Sequence, residues 1–326
     1  MGGAVLSISK DDCLKAALSG GFQAESIEKV SYLLDSLNAI FNDSFLGDRL
    51  VLKGGTALNL FHFSIPRLSV DIDLNYVGAT DQKTMEDDRT EIETRLKTVC
   101  KQAKINLQLG SSDYANRGYK GTYRSHFSSM GMIKIDINYL HRICLWEPEM
   151  LDSIVLEGTQ AHGIPVISLY ELTAGKLCAL LGRSKSRDLF DVTELATKIE
   201  SSDKNLRLAY LWYAAKQPKD WRTVKESDIR LNSKEVESEL FPMLSKEQSE
   251  RLGSTEACTA SLIEECRKYM RPLLELTKAE SEFFEELRQN GRIKGSLLTE
   301  SPVLISMIEA DPALIYRCSK APRKGT

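Results

Sequence analysis

The 326-residue chain is poor in the side chains that build most transition-metal and nucleophilic centres, with four histidines and seven cysteines. His62, His126, His141 and His162 have no mutual ligand spacing, and Cys13, Cys100, Cys144, Cys178, Cys258, Cys266 and Cys318 form no C-x-x-C or other zinc pattern. Each histidine is therefore read as a packing or hydrogen-bonding residue. Scattered cysteines in odd number read as reduced thiols, which places the chain in the cytoplasm. No apolar run approaches the roughly 18 residues that a membrane-spanning helix needs, so no membrane association is expected. The first twenty or so residues lack a basic segment followed by an apolar one, so no secretion signal is expected. Met1-Gly2 is compatible with a myristoylation start, but Leu6 stands where that signal needs Ser or Thr. There is no repeat and no low-complexity tract. A global basic field is also missing: 43 Lys and Arg against 46 Asp and Glu give a net charge of −3, so any hold on nucleic acid must rest on a local patch.

What is present is ordinary for a globular protein, at 42% hydrophobic and 27% charged residues, in a chain long enough for two lobes. The informative stretch runs from Lys53 to Tyr76, KGGTALNLFHFSIPRLSVDIDLNY. The apolar run Leu50-Val51-Leu52 leads into Gly54-Gly55-Thr56. Paired glycines let backbone amides approach an anion, and a helix that follows aims its N-terminal N–H groups at a phosphate. The same glycines also suit a tight turn that merely caps a helix. Asp71 and Asp73, two apart among apolar neighbours, leave one face of a strand. Two carboxylates on one face repel, and burying them without a partner costs several kcal/mol, so a cation is expected beside them. Hard oxygen donors in a pair suit Mg²⁺, which leaves its other positions to water and substrate phosphates. Mn²⁺ is the other divalent ion considered. The ligand implied is a metal-bound nucleoside triphosphate.

Helical spacing of Ile27, Val30, Leu33, Leu34, Leu37, Ile40 and Phe41 predicts an amphipathic helix over 25–41, and a second helix covers 83–103 with Met85, Ile92, Leu96 and Val99 inward. Strands follow at 105–109, 118–127 and 132–140. Strict alternation in the last puts Lys134, Asp136 and Asn138 on one face and isoleucines on the other. Asp136 completes a carboxylate triad if its strand lies beside that of Asp71 and Asp73; otherwise it is an acid on a solvent-facing edge. Between the strands, Tyr114 to Phe127 interleaves basic and aromatic residues, which suits either an exposed hairpin with cross-strand aromatic pairs or an RNA contact.

Ser168-Leu-Tyr-Glu171 is a capping box that opens a helix. Lys176 lies within that helix among apolar residues, where a lysine needs a partner or an anionic ligand. Arg183, Lys185 and Arg187 follow, then Asp188 and Asp191. Alone, Arg-Asp-x-x-Asp reads equally as a charge cluster on a helix surface. Beyond about residue 200 the chain is helical in pattern, as at 277–287 and 304–308, with Arg288, Arg292, Lys294 and Arg323-Lys324 as scattered basic residues.

Gly54-Gly55-Thr56 followed by Ser69-x-Asp71-x-Asp73 resembles the first motif of the DNA polymerase β-like nucleotidyltransferase superfamily. The longer form, Lys-Gly-Gly-Thr-Ala-Leu through Pro-Arg-Leu-Ser-x-Asp-Ile-Asp-Leu, is similar to that of the AbiEii/AbiGii toxin family, whose mycobacterial relatives are called MenT. Lys-Leu-x-Ala-Leu-x-x-Arg-x-x-x-Arg-Asp-x-x-Asp, from Lys176 to Asp191, resembles the family's downstream motif. The resemblance implies an α+β fold: a nucleotidyltransferase core over 1–163, with a small mixed or antiparallel sheet and flanking helices, and a mainly helical lobe over 164–326. It implies transfer of a nucleoside monophosphate from an NTP to a hydroxyl, by family analogy the 3′ end of tRNA, under restraint by a cognate antitoxin. Asp71 and Asp73 would hold the metal. Gly54, Gly55 and Thr56 would cradle phosphates, Ser69 would add a hydroxyl, and Arg67, Lys176 and Arg183 would neutralise the phosphate tail. Asp136 would orient or deprotonate the acceptor, and Asp191 would position Lys176 or the base. The alternatives are a protein side chain or small molecule as acceptor, a catalytically silent nucleotide-binding module, and a two-metal phosphohydrolase, which would normally draw on more acids or histidines.

Overall fold

A computed structural model describes residues 8–63 and 66–320. The readings made on Met1-Gly2 and on Arg323-Lys324 lie outside the described residues. The chain divides into two compact units. One unit runs to Arg142 and takes in Pro148–Ile167 and Pro242–Arg251; the other comprises Ile143–Glu147, Ser168–Phe241 and the chain from Leu252 onward. The main crossing is thus at Ile167/Ser168, and the chain also makes two short excursions that carry no composition signal.

The first unit is built on a seven-stranded mixed sheet: β1 (Leu50–Lys53), β2 (Asp71–Tyr76), β3 (Asn106–Ser112), β4 (Asn116–Tyr123), β5 (Gly131–Asn138), β6 (Glu149–Leu151) and β7 (Ile164–Val166). Its order is β3-β4-β5-β2-β1-β7-β6. The β2–β5 and β1–β7 pairs are parallel and the others antiparallel. The short strands β6 and β7 have no alternation long enough to announce them. Helices α1 (Lys10–Gly20), α2 (Ala24–Asn42), α3 (Ser44–Gly47), α4 (Gly54–Ala57) and α5 (Gln82–Gln102) belong to this unit.

The helix α2 forms where the apolar spacing requires it. Ile27, Val30, Leu33, Leu34, Leu37 and Ile40 are each at most 1% exposed, and the helix packs on β5, β7 and α5. At ~1.5–3 kcal/mol for each large apolar side chain, that face anchors the sheet. Met85, Ile92, Leu96 and Val99 are the buried face of α5, which Asp81 caps by accepting from the Thr84 N–H. The hairpin of β4 and β5 forms as the spacing suggests, but its tyrosines turn inward. Tyr119 and Tyr123 are buried, and Tyr123 stacks on Tyr32 of α2 at 3.9 Å instead of pairing across the strands. Burial of those rings removes them as base-stacking platforms.

The second unit is helical: α6 (Leu169–Arg183), α7 (Ser186–Ala196), α8 (Lys204–Lys216) and α9 (Ser233–Glu235), and, after α10 (Lys246–Leu252), α11 (Thr255–Leu274), α12 (Lys278–Gln289), α13 (Pro302–Glu309) and α14 (Pro312–Cys318). Ser168 caps α6 through the Glu171 N–H, as its capping box predicts, and Thr277 with Glu280 does the same for α12. Buried on nearly every side, α8 packs most extensively against α6. Among the described residues no helix is long and apolar enough to cross a membrane.

Candidate active site

In the sheet unit the strand register gathers the acids. Asp71 and Asp73 lie on β2, and Asp73 stands directly beside Asp136 of the parallel strand β5. On the other side Asp73 faces Lys53 of β1, and beyond Asp136 comes Gly118 of β4. A row therefore crosses four strands, Lys53–Asp73–Asp136–Gly118, on the face opposite the buried Ile72, Leu74, Ile133, Ile135 and Ile137. Alternation on two core strands predicts this face; the pairing of the strands makes the triad.

Lys134, two residues before Asp136, is opposite Asp71 in the β2–β5 register, and its ammonium contacts the Asp136 carboxylate. That hydrogen bond, reinforced by the charges of Asp136, Asp71 and Asp73, holds Lys134 above the ordinary lysine range. The alternation had placed Lys134 on this face, but only the register shows it among the acids. It is a site residue that sequence reasoning missed.

The glycines feed this cluster. β1 is antiparallel to β2, so the chain leaving Lys53 runs toward the Asp71 end of the row. Gly54 has φ +78°, and a β-carbon there would lie 2.8 Å from Cβ of Asp73, so glycine is required both for the turn and for the approach of the carboxylate. The helical stretch Gly54–His62 begins at once, and the buried Thr56 ties it to β2: its hydroxyl lies 2.5 Å from the Asp71 carbonyl oxygen and 3.1 Å from Ser69 Oγ. Thr56 and Ser69 thus brace the start of the Asp71 strand. Arg67 is 3% exposed and donates to the Leu68 carbonyl, so its guanidinium is engaged in the loop.

A cavity of about 260 Å³ opens on the row, lined by Lys53, Asp73, Ser111, Asn116, Gly118, Lys134, Asp136 and Asn138. Among the described residues no three acidic, histidine or cysteine side chains form a ready-made metal cage. The half-buried carboxylates fit an ion that takes one or two protein oxygens and completes its shell from water and phosphate.

The second motif forms a cluster within the helical unit. The Lys176 ammonium on α6 lies 2.7 Å from Asp191 Oδ2 and 3.2 Å from Asp188 Oδ1, both acids being on α7. Arg183 forks onto Asp188 through Nε at 2.7 Å and Nη2 at 3.0 Å. Both carboxylates are 1% exposed. Burial alone would raise the Asp188 carboxyl, but the adjacent Lys176 and Arg183 cations overcome it and hold Asp188 below the usual carboxylate range. Asp191 is thus an ion-pair partner of Lys176. Asp188, to which no role was given, shares the work; the spacing of Lys176 and Arg183 to one acid was the available signal.

Residues 35–257 match the family described as nucleotidyl transferase AbiEii toxin, type IV toxin–antitoxin system. No curated protein sequence matches the chain. Among solved structures the fold is similar to MenT4, a nucleotidyltransferase toxin from Mycobacterium tuberculosis H37Rv, with TM-score 0.56, 17% identity, and coverage of 94% of this chain and 99% of that one. JHP933 from Helicobacter pylori is also similar, with TM-score 0.46, 18% identity, and coverage of 77% and 94%. The family match spans well over half of the sequence, both motifs included, and the chain belongs to the AbiEii nucleotidyltransferase toxin family of type IV toxin–antitoxin systems.

Proposed function

We propose that the protein is a Mg²⁺-dependent enzyme that moves a nucleoside monophosphate from an NTP to the 3′-terminal hydroxyl of tRNA. The observation that carries this reading is the β2–β5 register, which sets Asp71 beside Lys134 and Asp73 beside Asp136, with Lys53 across from Asp73 and one cavity lined by Lys53, Asp73, Lys134 and Asp136. Asp71 and Asp73 hold the metal. When bound, a divalent cation offsets the charge that develops on the α-phosphorus and the leaving pyrophosphate. Gly54, Gly55 and Thr56 offer backbone amides to the phosphates at the Asp71 end, where Lys134 adds a positive charge. Asp136 accepts the proton of the acceptor hydroxyl. The hydroxyl oxygen forms a bond to the α-phosphorus, the bond from that phosphorus to the bridging oxygen breaks, and pyrophosphate leaves.

Lys176, which Asp191 and Asp188 hold, and Asp191 itself are also needed for transfer; their place in the family's downstream motif supports this role. The tRNA acceptor and a cognate antitoxin that restrains the enzyme are the family's pattern applied to this chain. The protein works in the cytoplasm, where both partners are found.

The test is to incubate the full chain with Mg²⁺, each NTP labelled on its α-phosphate in turn, and total tRNA, with Asp71→Ala alongside. Label at the tRNA 3′ end that disappears in the variant is expected. Full transfer by Asp71→Ala refutes the metal assignment, label on protein moves the acceptor to a side chain, and NTP binding without transfer makes the chain a silent module.

A further inference from the structure

The cavity has two ends of different chemistry. Along β5, Lys134 and Asn138 stand two residues to either side of Asp136, about 7 Å away each at the rise of a strand. The Lys134 end carries Asp71, the approach of the glycine turn and the positive charge. At the Asn138 end the lining groups, Ser111, Asn116, Gly118 and Asn138, are uncharged. Asn75, Asn138 and Asn116 are in register across β2, β5 and β4, and Ser111 lies against Gly118 at the irregularity of β3.

The asparagine pair is held in one orientation. The Asn138 Oδ1 accepts from the Leu140 N–H at 2.9 Å and the His141 N–H at 2.7 Å, which turns its amide nitrogen to donate to Asn116 Oδ1 at 2.9 Å. The Asn116 amide nitrogen in turn lies 3.3 and 3.4 Å from the carboxylate of Asp113. An amide nitrogen has two hydrogens and an amide oxygen two lone pairs, so this locked pair can still give one hydrogen bond and take one from a ligand. Ser111 can do both. Gly118 keeps the space between them open, because a β-carbon there would lie 2.8 Å from Asp136 Oδ1 and collide with Ser111 Oγ.

Building on the nucleotidyl-transfer reading, we propose that Ser111, Asn116, Gly118 and Asn138 form the acceptor side of the site and receive the terminal ribose of an RNA acceptor, reading the hydroxyl adjacent to the one that attacks. The transfer is in line, so nucleophile and pyrophosphate occupy opposite sides of the α-phosphorus. With the triphosphate drawn to the Lys134 and glycine end, the acceptor enters from the Asn138 end, and Asp136 stands between them. A phosphate placed at the asparagine end would meet the carboxylates of Asp136 and the adjacent Asp113, while the neighbouring Arg117 guanidinium is already paired with Glu93 at 3.1 Å; a sugar diol matches the neutral donors and acceptors of the lining. Ser111 and Asn116 are exposed, so the end of a long polymer can reach the cavity.

The test uses the full chain with the labelled NTP it accepts and three matched RNA acceptors, ending in a ribose, a 2′-deoxyribose or a 3′-deoxyribose. For Asn116→Ala and Ser111→Ala, both at exposed positions, the acceptor KM is expected to rise about tenfold, the worth of one hydrogen bond. The KM for NTP should be unchanged, and the unsubstituted protein's preference for one terminal hydroxyl pattern should collapse. A shift in NTP KM with the acceptor KM intact, or a preserved hydroxyl preference in both variants, overturns the acceptor assignment while leaving nucleotidyl transfer standing. Transfer by the unsubstituted chain to protein but not to RNA overturns it as well. Failure of the unsubstituted chain to transfer at all overturns both readings.

Discussion

Replacing Lys176 by Met takes from two buried carboxylates, Asp188 and Asp191, the ammonium that both contact, while Arg183 stays forked onto Asp188. In the intact protein the ammonium lies 2.7 and 3.2 Å from acids that are each 1% exposed. Removing one partner of such a pair costs about 3–5 kcal/mol, because buried carboxylates lose a close counter-charge that water cannot replace in place. Methionine fills most of the lysine stem, so the loss is electrostatic and little of it is cavity. Lys176→Met/Asp191→Asn restores the balance of one guanidinium against one carboxylate. A buried ion pair exchanged for neutral groups is roughly neutral in stability, less about 1–3 kcal/mol if the new amide is left short of partners. The double variant should therefore recover most of the loss. Urea unfolding followed by tryptophan fluorescence reads this out for the helical unit alone, since Trp146, Trp212 and Trp221 all belong to it. On the proposal that Lys176 is needed for transfer, the double variant should fold and still fail to transfer nucleotides. Near-normal transfer by the refolded double variant would refute that reasoning and make Lys176 a scaffold. A loss under about 1 kcal/mol for Lys176→Met would refute the burial argument itself.

Gly54→Ala should lose both stability and transfer, by about 1–3 kcal/mol in melting analysis, since φ +78° is costly for alanine and its methyl meets the Asp73 side chain; unchanged melting would show that the turn relaxes freely. Burial raises the Asp35 carboxyl to about 6, with Lys104 too weak a counter-charge, and among the described residues its Oδ2 has no hydrogen-bond partner. The folded form then holds a proton that the unfolded form releases, so stability falls as pH rises from about 4 to about 6 and stays lower above it. The shift of about two pH units corresponds to at most ~3 kcal/mol, less after allowing for partial solvent access. Asp35→Asn should flatten the profile and melt higher than the unsubstituted protein at about pH 8, and parallel profiles for the two would exclude Asp35 as the cause.

Period-two alternation was enough to put Lys134, Asp136 and Asn138 on one strand face, because the isoleucines between them had to enter the core. It was not enough to place that strand. β2 and β5 are parallel and separated by a helix and a hairpin, so the register that brings Asp136 beside Asp73 joins residues far apart in the chain. Local pattern carries no information about such a long-range pairing. The aromatic hairpin failed as a guide for a related reason. Tyr119 and Tyr123 alternate with basic residues in sequence, yet that alternation is what sends the rings to the core and the charges out. Where β6 and β7 are only three residues long, no period exists to be read at all.

The two motifs differ in how far their chemistry follows from their spacing. On β2 the pair Asp71 and Asp73 is fixed by geometry: any extended strand puts both carboxylates on one side, and a cation must answer them. On the helices the outcome depends on packing. Arg-Asp-x-x-Asp at α7 lies on a solvated surface unless another helix covers it, and here α6 does so with a lysine aimed between the acids. Once covered, Asp188 cannot be spared: it accepts from Lys176 and Arg183 together, and its loss would leave Lys176 to Asp191 and strip Arg183 of its fork. The cluster therefore positions one ammonium with two acids, which fixes its direction more firmly than a single pair would.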